Sequence, residues 1–447
     1  MSSPATFIFD SFTYDPQARL LKLAYGFDDG SSFVEKITFE GAKADLTAEE
    51  TNVLEALFRQ LHLAAGISYY KAWCPATMQV NTDPLSQEEA DFFTKFYLMG
   101  LGEFAVENDI DLRERINFPV TTDKTPTASH LKLPEMNAVP VGGGKDSIVS
   151  IEALRYGNRP QRLLAVNPGR PILEVMERSG IDNPILMRRK LDARLFALND
   201  KGAMNGHVPI TGILSFIMAA GAVLYGYDHI VMSNEQSANE GNMTWNGLEI
   251  NHQYSKSLEF ERDFTGYLQA HVIEGLTYFS LLRPLSETGI ACLFARSTQY
   301  FDVFKSCNRN FHIDEGVRKY GWCCDCPKCR FVYLALAPFV GREKLVDIFG
   351  RDMLDDEAQE AGFRELCGLE GHKPFECVGE IAECRLIMKC LSLQPDWNES
   401  CLVPKLAAEI SEPGLAPEAL EKEALKMSPH HQLPPDYKDL LDDFAGA

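Results

Sequence analysis

The tightest constraint on the fold is the run Val141-Gly142-Gly143-Gly144-Lys145-Asp146-Ser147. A short apolar stretch, Asn137 to Val141, leads into it and reads as a strand. Ile148, Ile151 and Leu154 follow at regular steps with Val149 beside them, which predicts a helix leading out. A strand, a glycine turn and a helix N-terminus together make an anion site. Glycine lets backbone approach a phosphate closely, and the free N–H groups and dipole of the first helical turn favour negative charge. Lys145 is expected to add a mobile positive charge and Ser147 a hydroxyl donor. Asp146 suits such a place only with a metal ion or a protonated group between it and the phosphate.

Beyond this loop the chain alternates strand and helix. Strands are predicted at Leu163–Val166, Pro184–Met187 and Ile230–Met232, and helices at Ile172–Arg178 and Ile213–Tyr225. That order predicts an α/β domain with a parallel sheet and ligands beyond the strand C-termini. Asn167, Asn234 and Glu235 each follow a strand, so they are expected in the same crevice as Gly142, Gly143, Gly144, Lys145, Asp146 and Ser147. The uncharged stretch Val208–Tyr227 approaches the length of a membrane span. Its glycines and the strand that follows directly favour a buried crossover helix instead.

The N-terminal unit, residues 1–117, reads as α+β. Phe7–Phe9, Leu20–Tyr25 and Phe33–Phe39 predict an antiparallel meander with turns at Asp15-Pro16 and Asp28-Asp29-Gly30. Thr47 with Glu50 forms a capping box before the amphipathic helix of Val53, Leu54, Leu57 and Leu61. A second helix is predicted from Gln87 to Asn108. Residues 118–135 read as a linker, 136–395 as the catalytic domain and 396–447 as a partly disordered extension. Within that extension, Met427–Ala447 reads as a tail.

A formal net charge of −21 argues against a nucleic-acid or anionic-membrane surface. The basic run Arg188-Arg189-Lys190 reads as a solvated strand end. Met1–Asp10 has no basic start and no long apolar core, so no secretory signal is expected and the cytoplasm is the expected compartment. With 12 cysteines in such a chain, reduced thiols and a metal site are expected rather than a disulfide framework. Cys323, Cys326 and Cys329, with Cys307 upstream, can supply four thiolates for tetrahedral zinc, a closed structural site. Even spacing favours Cys323 over Cys324, but the choice stays open. Cys377, Cys384 and Cys390 read as small core residues.

Asn251–Glu259 concentrates side chains that bind or move protons. In a helix, His252 and Lys256 would share one face, as would Ser255 and Glu259.

The glycine loop lacks Walker A spacing. It resembles the pyrophosphate loop of the adenylating ATP pyrophosphatases, Ser-Gly-Gly-x-Asp-Ser, with Gly142 in place of the first serine. Loop and cysteine cluster together are similar to the 7-cyano-7-deazaguanine synthases, whose chains are shorter and lack the first unit here. A closer resemblance, over most of the chain, is to the ATP-dependent UDP-N-acetylmuramoyl-L-alanyl-L-glutamate epimerase family of bacterial peptidoglycan synthesis. It is carried by Gly142–Ser147, Ser233–Asn242, Asn251–Glu259 and Cys307–Cys329.

This resemblance implies an ATP-pyrophosphatase (adenine nucleotide alpha hydrolase-like) domain, ATP with Mg2+, structural Zn2+, and a small-molecule partner, the UDP-muramyl dipeptide. It implies an isomerase that adenylates the terminal L-glutamate, removes its α-proton, returns a proton to the other face, and releases D-glutamyl product, AMP and pyrophosphate. Lys145, Asp146, His252 and Lys256 are the expected catalytic residues, with Glu259 and His207 behind them. Two other functions compete: an adenylating ligase of the deazaguanine-synthase type, and a protein that only senses ATP.

Overall fold

The structure is a computed structural model that describes residues 3–241, 243–311, 320–371 and 378–447. Its strands are β1 (Thr6–Asp15), β2 (Leu20–Phe27), β3 (Ser32–Phe39), β4 (Thr77–Val80), β5 (Asn137–Pro140), β6 (Gln161–Val166), β7 (Ile185–Lys190), β8 (His229–Met232), β9 (Met243–Trp245), β10 (Leu248–Ile250) and β11 (Thr277–Ser280). Nine of them form one sheet in the order β11-β8-β5-β6-β7-β3-β2-β1-β4.

β1, β2 and β3 make the antiparallel meander. Phe7, Phe9, Leu21, Leu23, Ile37 and Phe39 alternate with exposed residues and are buried on one face. β5, β6, β7, β8 and β11 run parallel. The two halves are not separate sheets, because β3 pairs antiparallel with β7 through Lys36–Phe39 and Met187–Lys190. β6 lies on one side of β5 and β8 on the other, so the strand order reverses at β5. Ligands of open α/β sheets bind at such a reversal, beyond the strand C-termini.

Helices cover both faces of the parallel half. Lys145–Tyr156 and Arg170–Ser179 bury Ile148, Ile151, Leu154 and Val175 on one side, in a core shared with the cysteine segment and the C-terminal helices. Ile210–Tyr225 and Leu258–His271 lie in the opposite core, with the meander and the helix Ala48–Ala65. Ile210–Tyr225 is therefore the buried crossover helix expected. Among the described residues, no helix is long and apolar enough to cross a membrane. The capping box of Thr47 and Glu50 is formed as read.

Several expectations are corrected. The helix expected from Gln87 to Asn108 breaks at Leu101 into Gln87–Gly100 and Gly102–Glu107. The expected tail folds back. Pro435–Gly446 is a helix whose Leu441 is fully buried, and Tyr437 donates to Asn137 of β5 at 2.5 Å. A polar, Pro-rich composition hides this helix, since its apolar residues face the core at helical spacing. Arg189 is not solvated: its guanidinium is buried and paired with the buried Glu35 at 2.7 Å. Cys384 and Cys390 are buried on the helix Ile381–Leu391 as expected. Cys377 and Asn242 lie outside the described residues.

Candidate active site

β5 ends at Pro140, and Val141 to Gly144 turn the chain into the helix Lys145–Tyr156. Gly143 sits at φ +81°, in the left-handed region that disfavours other residues, and its carbonyl accepts from the Lys305 amide at 2.8 Å. Gly144 is the N-cap and has no capping side chain, so the first N–H groups of the helix stay open to a ligand. A Cβ on Gly144 would lie 2.6 Å from Ser306 Oγ, so glycine lets that hydroxyl approach the loop.

A cavity of about 420 Å3 opens at this turn, beside the first turn of Ile210–Tyr225. Gly142, Gly144, Asp146, Ser147 and Asn234 line it, as the sequence reading expects, together with Lys256. The structure adds Ser306, Asn308, Lys328 and Thr211, which that reading does not contain. The volume lies within the range of about 300–1,000 Å3 usual for small-molecule sites.

Lys145 is placed differently from its expected role. It is 1% exposed, and its ammonium is held between Asp146 and Glu287. Burial works against its charge, but the two carboxylates outweigh burial and hold its pKa above the ordinary lysine value. Lys145 is thus an internal counter-ion rather than a mobile cation. Burial likewise raises the pKa of Glu287, and Asp146 and Glu235 add to the effect while Lys145 and Lys328 oppose it. For Asp146, burial is outweighed by Lys145, Lys328 and Lys256, so its carboxyl is held below the usual range and stays ionised. Among the described residues, the cations facing the cavity are Lys256 and Lys328.

Asn167 does not line this cavity. It sits at φ +50° and clips β6 to β7, donating to the Arg189 carbonyl at 2.8 Å and accepting from the Arg189 amide at 2.9 Å. Glu235 is buried beside the cavity, and its carbonyl accepts from Arg283 at 2.7 Å.

Asn251–Glu259 does not meet the helical condition that would align His252 with Lys256. Tyr254–Lys256 is a single 3-10 turn, and the helix Leu258–His271 begins only after Ser257, whose hydroxyl caps it at the Phe260 amide. A serine at that point offers the backbone a start signal that overrides the run before it. Consequently Glu259 points elsewhere, pairing with Lys95 at 2.7 Å and lining a separate cavity. His252 instead meets His207, the ring centroids being 6.5 Å apart. Burial lowers the His207 pKa to about 4, and the charges of His252 and Lys256 push the same way. His207 is therefore a neutral imidazole at neutral pH, able to accept a proton.

Cys307, Cys323, Cys326 and Cys329 form the expected group, with all four sulfurs within 4.8 Å of one another. Cys324 is excluded from it: its backbone is left-handed at φ +54°, and its thiol turns to the Phe349 carbonyl at 3.3 Å. Cys323, not Cys324, therefore belongs to the group that could hold a metal. Tetrahedral thiolate geometry suits zinc. Ser306 and Asn308 flank Cys307, and Lys328 precedes Cys329, so three of the cavity's polar residues adjoin the cluster.

Known sequences agree with this assembly. Residues 1–281 match the MurL N-terminal domain and residues 303–421 the MurL C-terminal domain. The chain is 41% identical over 433 residues to the UDP-N-acetyl-alpha-D-muramoyl-L-alanyl-L-glutamate epimerase of Xanthomonas oryzae pv. oryzae, covering 96% of this chain and 95% of that one. The chain belongs to the MurL family.

A Micromonospora protein of the same printed name is 41% identical over 443 residues, covering 97% of each chain. One from Salinispora tropica is 42% identical over 413 residues, 91% of this chain and 89% of that one. The MurL N-terminal match contains the whole nine-stranded sheet, and the MurL C-terminal match contains the four cysteines.

Other site residues of this MurL member left weaker traces in the sequence. Ser306, Asn308 and Lys328 are immediate neighbours of the cysteines. Glu287 follows β11, a strand not predicted, so nothing in the pattern brings it to the crevice. The hairpin of β9 and β10 has a signal, Asn246-Gly247, whose φ values of +48° and +79° both favour such residues.

Proposed function

We propose that the protein inverts the terminal L-glutamate of UDP-N-acetylmuramoyl-L-alanyl-L-glutamate in peptidoglycan precursor synthesis, after its carboxylate has been adenylated by ATP. The observation that carries this reading is one juxtaposition. Lys256 lines a glycine-loop cavity of phosphate-site geometry, and its charge acts on His207, which meets His252. The names of the relatives support the substrate.

The chemistry needs both parts. The α-hydrogen beside a carboxylate is hardly acidic, because its removal adds negative charge to an anion. Joining the carboxylate to AMP removes that charge and leaves an acyl group that delocalises a carbanion. In this reading the carboxylate oxygen attacks the α-phosphorus and pyrophosphate leaves. The N–H groups after Gly144, Ser147, Ser306 and Lys328 bind phosphate oxygens. The loop lies at the strand-order reversal, which supports an ATP-pyrophosphatase-like use of the sheet.

Mg2+ would screen the phosphates. Asp146 lines the cavity and is the carboxylate available to it. Among the described residues only the cysteines form a metal-ligating group, which accords with a Mg2+ held mainly by phosphates and water. His252 and Lys256, with His207 beside them, are the groups available to take the α-proton and return one. Water then releases the D-glutamyl product and AMP.

Chiral analysis of the glutamate after incubation of UDP-muramyl dipeptide with enzyme, ATP and Mg2+ tests this. D-Glutamate with matching AMP and pyrophosphate is expected. Inversion without AMP would overturn adenylation, and AMP without inversion would favour a ligase. Asp146→Ala and Ser147→Ala are each expected to abolish AMP formation.

A further inference from the structure

Away from the glycine loop, the pairing of three strands builds a second charged site. In the β2–β3 register Lys22 lies directly opposite Lys36, and in the β3–β7 register Lys36 lies directly opposite Lys190. The three side chains therefore stand in one row on one face of the sheet. All three are exposed, and among the described residues none has a carboxylate partner. They line a cavity of about 490 Å3 together with Val34, Leu191, Asp192 and Arg194. Asp192 does not neutralise the row. It is occupied by Arg194, with contacts of 2.9 and 2.5 Å, and by the Val34 amide at 2.8 Å.

Like charges directly opposite on neighbouring strands destabilise a sheet. Here the arrangement occurs twice in succession, in a chain whose net charge is −21. A solvated strand end does not need it. The basic run after Met187 is in fact divided between the faces: Arg189 turns inward to Glu35, Arg188 pairs with Glu40 at 2.9 Å, and Lys190 alone joins the row.

We propose that Lys22, Lys36 and Lys190 form a binding site for a diphosphate group, carried by a nucleoside diphosphate or present as free pyrophosphate. Adjacent strands lie about 4.8 Å apart, so three flexible ammonium groups in one row can reach the oxygens of two linked phosphates laid along it. The overall negative charge disfavours a long polyanion such as nucleic acid. The nucleoside-borne source rests on the proposed function, whose substrate carries a UDP group; the free source does not.

Calorimetric titration of the full-length protein with UDP, and separately with inorganic pyrophosphate, tests the site. The triple variant Lys22→Gln, Lys36→Gln, Lys190→Gln is expected to fold with an unchanged or higher Tm, because repulsion has been removed. Its affinity for the bound diphosphate is expected to fall by about tenfold or more. Ser147→Ala, which alters the glycine-loop site, is expected to leave that binding intact. UDP bound well above pyrophosphate identifies the nucleoside-borne source, and equal binding the free one. Absence of binding by Ser147→Ala, or binding by Ser147→Ala that survives when the three lysine substitutions are added, would overturn the site. A single-stranded oligonucleotide that binds the lysine row while UDP and pyrophosphate do not would also overturn it. AMP formation by wild type is measured independently, so failure here leaves the glycine-loop reading standing.

Discussion

The guanidinium of Arg283 donates to the backbone carbonyl of Lys256 at 2.5 Å. The same fully buried group reaches the Glu235 carbonyl at 2.7 Å and the Glu261 carboxylate at 3.1 Å. One rigid fork thus fixes the loop after β8 against the loop that presents Lys256 to the cavity. Arg283 touches no cavity atom; it is a positioning residue.

Arg283→Lys keeps a cation for Glu261 but cannot span both carbonyls. Folding is expected to survive with a loss of about 1–3 kcal/mol, read by chemical denaturation. Inversion of glutamate is expected to slow by roughly a hundredfold through misplacement of Lys256. Full activity in a destabilised variant would show that Lys256 does not depend on this anchor.

Lys145 separates two buried carboxylates, Asp146 and Glu287. Lys145→Met leaves them facing each other without a cation, at an expected cost of about 3–5 kcal/mol in urea unfolding. Adding Glu287→Gln is expected to restore part of that stability. Were Lys145 instead a free phosphate ligand, the single variant would lose ATP affinity with little change in stability.

Cysteine variants separate the thiol cluster from its neighbour. Cys323→Ser is expected to lose bound zinc, whereas Cys324→Ser keeps it, since only the former thiol lies in the group. Chelation is expected to weaken nucleotide binding as well as stability, because Ser306, Asn308 and Lys328 adjoin the ligands. Zinc content by elemental analysis and ATP affinity by titration report the two effects.

Burial holds the His207 imidazole at a pKa of about 4, against 6.5 for an unperturbed histidine. Between those two values the unfolded chain binds the proton and the folded one does not, so His207 makes stability rise with pH across that window. Stability gained this way is lost as pH falls through it. His207→Gln is expected to flatten that part of the stability profile and to slow α-proton exchange in deuterated water. Titration of the His207 ring signals near neutral pH would contradict a buried neutral base.

Much of the site is legible because it is written in consecutive residues. Gly142 to Ser147 carry both the turn and its anion-binding amides, and Cys323, Cys326 and Cys329 lie within one turn and the start of a helix. Asn167 shows the limit of such reading: a strand-end position is right for a ligand contact, yet its amide is used to join two strands. His252 and Lys256 show another, because Ser257 ends the run before a helix can align them.

What the sequence determined by itself is local: strand, glycine turn and helix at Gly142–Ser147, the capping box at Thr47, the inward alternation of the meander, and the spacing of the thiols. Each depends on backbone geometry over a few residues, which periodicity reveals. Tertiary structure alone decided that Glu287 would clasp Lys145, that His207 would meet His252, that Arg283 would hold Lys256, and that Lys22, Lys36 and Lys190 would stand in one row. These pairings span long separations and arise from strand order and register, which depend on how the whole chain buries its apolar faces. No periodicity within any one segment records that.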